Sequence, residues 1–107
     1  MLGAVQAFHD RHGLREHGGE DLDHRVALMV EELGEISACV TKGKHKSLLA
    51  EECADLLILL LGTAIAADFD LQAAFWAMMT KLEGRGARTV GSRIRVSDFA
   101  GVDENSD

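Results

Sequence analysis

The sequence contains no proline and no tyrosine, two cysteines, and 5% aromatic residues in 107. Without proline it lacks a common punctuator of β-sandwich loops and breaker of helices, and the many alanines and leucines then point to helices joined by short turns. Cys39 and Cys53 form no Cys-x-x-Cys pair, which excludes a disulfide scaffold; both read as small, reduced core residues. Long hydrophobic runs are also missing. The greasiest, Leu56–Ala67, is closed by Asp55 and Asp68 and falls short of the roughly 20 residues a bilayer requires, so no membrane partner is expected. Met1–Phe8 has no charged start and is followed by Asp10, which argues against a secretory leader and for a cytoplasmic protein. Basic charge is scarce as well. Eleven Lys and Arg against 18 Asp and Glu leave a net charge of −7, which disfavours a general nucleic-acid binder.

What is present is helical periodicity. Leu2, Ala4, Val5 and Phe8 mark one face of a short helix ending near Gly13, and residues 13–21 read as a glycine-rich polar loop. Asp21 or Asp23 is placed to cap a second helix reaching about Lys42. Its apolar residues Val26, Met29, Val30, Leu33, Ile36 and Val40 recur by threes and fours, and Gly43 ends it. Ser47 is placed to cap a third helix to residue 67, and Asp70 a fourth over 71–83 that stops at Gly84. The expected fold is therefore all-α, an antiparallel helical bundle over residues 1–88 followed by an irregular tail, 89–107. Leu56 to Leu61 are all apolar and point in every direction around the third helix, so all its faces need cover. A four-helix chain this small does not supply it alone. The bundle is expected to be completed by self-association, as a homodimer or homotetramer.

Charge is concentrated in the middle. Glu32 and Glu35 are three apart, as are Glu52 and Asp55, so each pair projects from one face of its helix. A connection of a few residues around Gly43 makes the two helices antiparallel neighbours, and both pairs then lie about 8–12 Å from the turn. Four carboxylates converging on one groove repel unless a cation intervenes. Hard oxygen donors suit Mg²⁺, with Mn²⁺ acceptable, over zinc. A di-iron site wants Glu-x-x-His, which neither pair provides. The plainer reading is a pair of solvated helix faces. His9, His12, His17 and His24 offer a rival zinc site near the N-terminus, in a loop that imposes no tight geometry. There is no Gly-x-x-x-x-Gly-Lys-Ser/Thr loop, so any phosphate must be held by metal and basic side chains.

Glu31-Glu32-Leu33-Gly34-Glu35, followed after 16 residues by Glu52-Cys53-Ala54-Asp55, resembles the EExxE…ExxD signature of the MazG-like nucleotide pyrophosphohydrolases, a superfamily that includes dimeric dUTPases. The similarity extends over about residues 4–88, through the Asp68-Phe69-Asp70 junction to Lys81 and Arg85, which look like the family's phosphate-contacting Lys-x-x-x-Arg. It implies an all-α enzyme in which Glu32, Glu35, Glu52 and Asp55 hold Mg²⁺ on the phosphates of a nucleoside triphosphate. Glu31 would then orient or deprotonate the attacking water, and cleavage of the α–β anhydride would give a monophosphate and pyrophosphate, in nucleotide-pool housecleaning. Phe8, His24 and Trp76 are the base-binding candidates, although Phe8 and Trp76 also suit core positions. Relatives often carry a lysine where Leu48 stands; Lys44 or Lys46 is placed to replace it. The alternatives are a phosphoribosyl-ATP pyrophosphohydrolase-like enzyme and a catalytically silent helical dimer that binds nucleotide or protein.

Overall fold

The computed structural model describes residues 1–90 and 93–97. They fall into two units, Met1–Phe69 and the segment beginning at Asp70. The first unit holds α1 (Leu2–His12), α2 (Leu22–Thr41) and α3 (Lys46–Ala67); the second holds α4 (Leu71–Glu83), β1 (Gly86–Val90) and β2 (Arg93–Ser97).

The helix ends follow the capping chemistry. At Gly13, φ is +59°, and the Gly13 and Leu14 N–H groups close the end of α1 on the Asp10 and His9 carbonyls. Asp21 precedes α2 in extended conformation, but its carboxylate makes no cap bond to the helix, so only its backbone fills the expected capping role. The helix stops where Gly43 turns left-handed at φ +62° and the Lys44 N–H reaches the Cys39 carbonyl. Asp70 caps α4 by accepting the Ala73 N–H at 2.9 Å, as its position suggests. Three local expectations are corrected. His45 caps α3 in place of Ser47: its Nδ1 accepts the Ser47 N–H at 3.1 Å, and the helix starts at Lys46. The loop 13–21 contains a 3₁₀ turn, Arg15–His17, because Gly13 and Gly18 supply the left-handed backbone on either side of it. Part of the tail expected to be irregular pairs as an antiparallel hairpin with Val90 opposite Arg93 and Gly86 opposite Ser97. The remainder of that tail, 91–92 and 98–107, lies outside the described residues.

In the first unit α2 and α3 pack along each other and α1 packs on α3. The connection from Lys42 to His45 is short, so α2 and α3 run antiparallel. Val5, Cys39 and Ala64 are the buried apolar residues among those described. Cys53, expected in the core, is exposed: one residue on from the half-buried Glu52, it is turned about 100° around α3. Two polar side chains are more deeply buried than most apolar ones: Arg25, 2% exposed, and His9, 4% exposed. His9 Nδ1 lies 2.6 Å from Glu20 Oε2, and Arg15 Nε donates to Glu20 Oε1 at 2.8 Å. Burial pushes the Glu20 carboxyl up, but its hydrogen bonds to His9 and Arg15 and their charges outweigh this and hold it below the usual carboxylate range.

Much apolar surface is left open. Leu57, Ile58 and Leu60 of α3 are exposed, so within the first unit α1 and α2 do not cover every face of α3. Leu22, Val26, Val30, Leu33 and Val40 form a second open stripe, along α2, with Val30 64% exposed.

Candidate metal centre

On α2 the residues at seven-residue intervals, Arg25, Glu32 and Cys39, are more buried than their neighbours, which places Glu32 on the face turned to α3. Glu52 and Asp55 answer it from one face of α3. A carboxylate oxygen from each of Glu32, Glu52 and Asp55 lies within 4.8 Å of the other two. For comparison, two oxygens on opposite sides of a Mg²⁺ ion are about 4.2 Å apart, twice the usual bond length. Two oxygens of these residues, Glu32 Oε2 and Glu52 Oε1, are buried and accept no hydrogen bond. A solvated helix face does not bury carboxylate oxygens without partners; a divalent cation is the partner that hard, clustered oxygens fit.

Electrostatics give the same picture. The Glu52 charge, followed by the contact with its carboxylate, raises the Glu35 carboxyl above its ordinary value, and burial, Asp55 and Glu31 add to this. Contact with the Glu32 carboxylate raises Glu52, and burial and the charges of Glu32 and Asp55 add to it, while contact with Glu35 opposes it. Glu35 therefore belongs to the same group through Glu52, although it lies outside the tightest three. Glu31, one residue before Glu32, is exposed on the rim.

Two cavities border the cluster. One, of about 280 Å³, is lined by Glu35, Cys39, Lys44, Leu48 and Glu52, so Lys44 and Leu48 stand beside the carboxylates together. The other, of about 560 Å³, runs between α1 and α3, is lined by apolar residues including Met1, Phe8, Ile58 and Leu61, and has Asp55 as its one acidic residue.

The remaining candidates are divided between the two units. Phe8 lines the larger cavity, is half exposed and packs on His12 with ring centroids 4.6 Å apart. His24 is exposed near the start of α2 and lines neither cavity. Trp76 is exposed on α4, edge-on to Phe75 at 5.0 Å, and Lys81 lies in the last turn of the same helix, with Arg85 just beyond it. Among the described residues the histidines join no metal-ligating cluster, and His9, one of the four offered for the rival zinc site, is turned to Glu20. Sequence reasoning missed Arg25. The available signal was an arginine seven residues before Glu32, on the same helical face.

Residues 21–89, more than half of the chain, match the MazG nucleotide pyrophosphohydrolase domain. No curated protein and no solved structure gives a significant match.

Proposed function

Because the chain belongs to the MazG nucleotide pyrophosphohydrolase family, we propose that it is a Mg²⁺-dependent hydrolase of the α–β anhydride of a nucleoside or deoxynucleoside triphosphate. The observation that carries this is the convergence of Glu32, Glu52 and Asp55, with two buried carboxylate oxygens left without hydrogen-bond partners. These three residues, with Glu35 beside them, are the ligands. A bound divalent ion there would neutralise phosphate charge and acidify a water. Glu31, exposed next to the ligand set, is the base: it orients the water and takes its proton as the water oxygen bonds to phosphorus and pyrophosphate leaves with the bond electrons. Lys44 contacts phosphate from the smaller cavity, in place of the missing cation at Leu48. The resemblance adds Lys81, in the last turn of α4, and Arg85, just beyond that helix, as further phosphate contacts. Phe8 is the base-contacting residue that the larger cavity favours, and His24 and Trp76 remain candidates from the resemblance.

The open stripe on α2 and the exposed apolar residues of α3 support assembly as a homodimer or homotetramer, in which a second copy covers them. Among the described residues no helix is long and apolar enough to cross a membrane. The cytoplasmic housecleaning role is proposed from the resemblance.

The test is pyrophosphate release from a panel of canonical and modified triphosphates, with phosphoribosyl-ATP included, in Mg²⁺, in Mn²⁺ and in EDTA. Metal-dependent formation of monophosphate and pyrophosphate from triphosphates is the expected result. Turnover of phosphoribosyl-ATP alone would move the assignment to that enzyme. Silence of folded, metal-loaded protein across the panel would favour a non-catalytic dimer, a reading for which Leu48 beside Glu35 and Glu52 is the one specific argument.

A further inference from the structure

We infer that Arg25 is a positioning residue that sets the register of α2 against α3 and so brings Glu32 opposite Glu52 and Asp55. The inference rests on the reading of those carboxylates as metal ligands, but its basis is a separate group of contacts. The Arg25 guanidinium donates from Nη2 to the Leu59 carbonyl at 2.8 Å, from Nε to Thr63 Oγ1 at 3.1 Å and from Nη1 to the Gly19 carbonyl at 3.0 Å. Two of these acceptors are on α3 and the third is in the loop before α2. The planar fork holds all three at once, and two of the acceptors are backbone atoms, which no rotamer change can move.

The spacing links this fork to the carboxylates. Glu32 lies seven residues after Arg25 on α2, and Glu52 lies seven residues before Leu59 on the antiparallel α3. Seven residues are close to two turns, about 10.5 Å, so equal steps along opposed helices lead from one cross-helix contact to the other on the same faces. A slip of one residue at Arg25 would shift the facing carboxylates by about 1.5 Å and rotate them about 100° around the helix. Side-chain ligands tolerate much less than that.

Gly62 is shaped to this task. A Cβ there would overlap Arg25 Nη2 and approach His9 Nε2 to 2.7 Å, so α3 leaves bare backbone where the guanidinium sits. An anchor that supplied stability alone would affect melting and leave the metal affinity of the folded protein unchanged. A register pin affects both.

The experiment measures Mn²⁺ affinity of the full chain by electron paramagnetic resonance, together with far-UV circular dichroism, thermal melting and the separate effects on KM and kcat. Arg25→Met removes the fork. Gly62→Ala keeps the arginine and displaces it. Thr63→Val removes one acceptor and is the mildest of the three. His9→Gln is the comparison, since it breaks the contact with Glu20 and leaves the bonds of Arg25 to α3. At a temperature where circular dichroism shows full helix content, Arg25→Met and Gly62→Ala should weaken Mn²⁺ binding at least tenfold, and Thr63→Val about threefold, with kcat falling. His9→Gln should lower the melting temperature while affinity stays within twofold. Affinity within twofold of wild type in whichever of the three variants are folded would overturn the inference, as would an equal loss in His9→Gln. Wild-type protein that binds no Mn²⁺ would instead refute the metal reading, and this inference with it.

Discussion

Replacing Glu52 with glutamine should reverse the order of stability between metal-free and metal-loaded protein. Glu52 is the centre of the cluster: its oxygen lies within 4.8 Å of ligand atoms from Glu32 and Asp55, and its charge is the largest cause of the raised Glu35 carboxyl. In EDTA near neutral pH these carboxylates face one another without a counter-ion, so Glu52→Gln should melt above wild type. Saturation changes the balance. At a free Mg²⁺ concentration 100 times its dissociation constant, wild type gains about 2.7 kcal/mol, which for a domain of this size is about 10–20 °C. If the variant binds a hundredfold more weakly it gains only about 0.4 kcal/mol at the same concentration, a few degrees. The assay is differential scanning calorimetry on both proteins across a Mg²⁺ titration, and the expected signature is a crossing of the two melting curves. Equal gains from Mg²⁺ in the two proteins would refute the assignment of Glu52 as a ligand. A metal-free variant that melts below wild type would refute the claim that the cluster is electrostatically strained.

Three further outcomes are expected. The Glu20 carboxyl is held below its unfolded value, so its contribution to stability is present above the unfolded pKa, about 4.3, and is lost as pH falls through the folded one. Urea melts between pH 3 and 6 should show a shallower acid loss in Glu20→Gln than in wild type, and parallel curves would sink this account. Asp70→Ala removes the side-chain bond to the Ala73 N–H and should cost about 1 kcal/mol, read as a lower urea midpoint with an unchanged slope. Val30→Lys with Leu33→Lys puts charge on the open stripe of α2 and should yield a monomer by light scattering; a wild type already monomeric at micromolar concentration would refute self-association.

The elements were legible because their signals are local. Apolar residues by threes and fours, Asp21 and Asp70 at helix starts, and Gly13 and Gly43 at helix ends gave four helices close to where they occur. His45 displaced Ser47 because an imidazole nitrogen can accept a backbone N–H as a hydroxyl does, and residue type alone did not rank the two. The hairpin was missed although Gly91-Ser92 separates two β-branched stretches by the two residues such connections favour. The alternation around Ile94 and Val96 was too weak by itself to mark a strand.

The sequence by itself determined the helices, the acidic pairs and their equal height above the turn, since rise per residue and side-chain direction are fixed along a helix. Only the tertiary structure decided which carboxylates meet. It grouped Glu32, Glu52 and Asp55 tightly, with Glu35 beside Glu52, left two of their oxygens buried and unpartnered, and placed Lys44 and Leu48 next to them. It also turned Arg25 inward onto Leu59 and Thr63, 34 and 38 residues away in sequence. Periodicity assigns a residue to a face. The rotation and register of one helix against another depend on contacts between distant residues, and a local pattern carries no record of them.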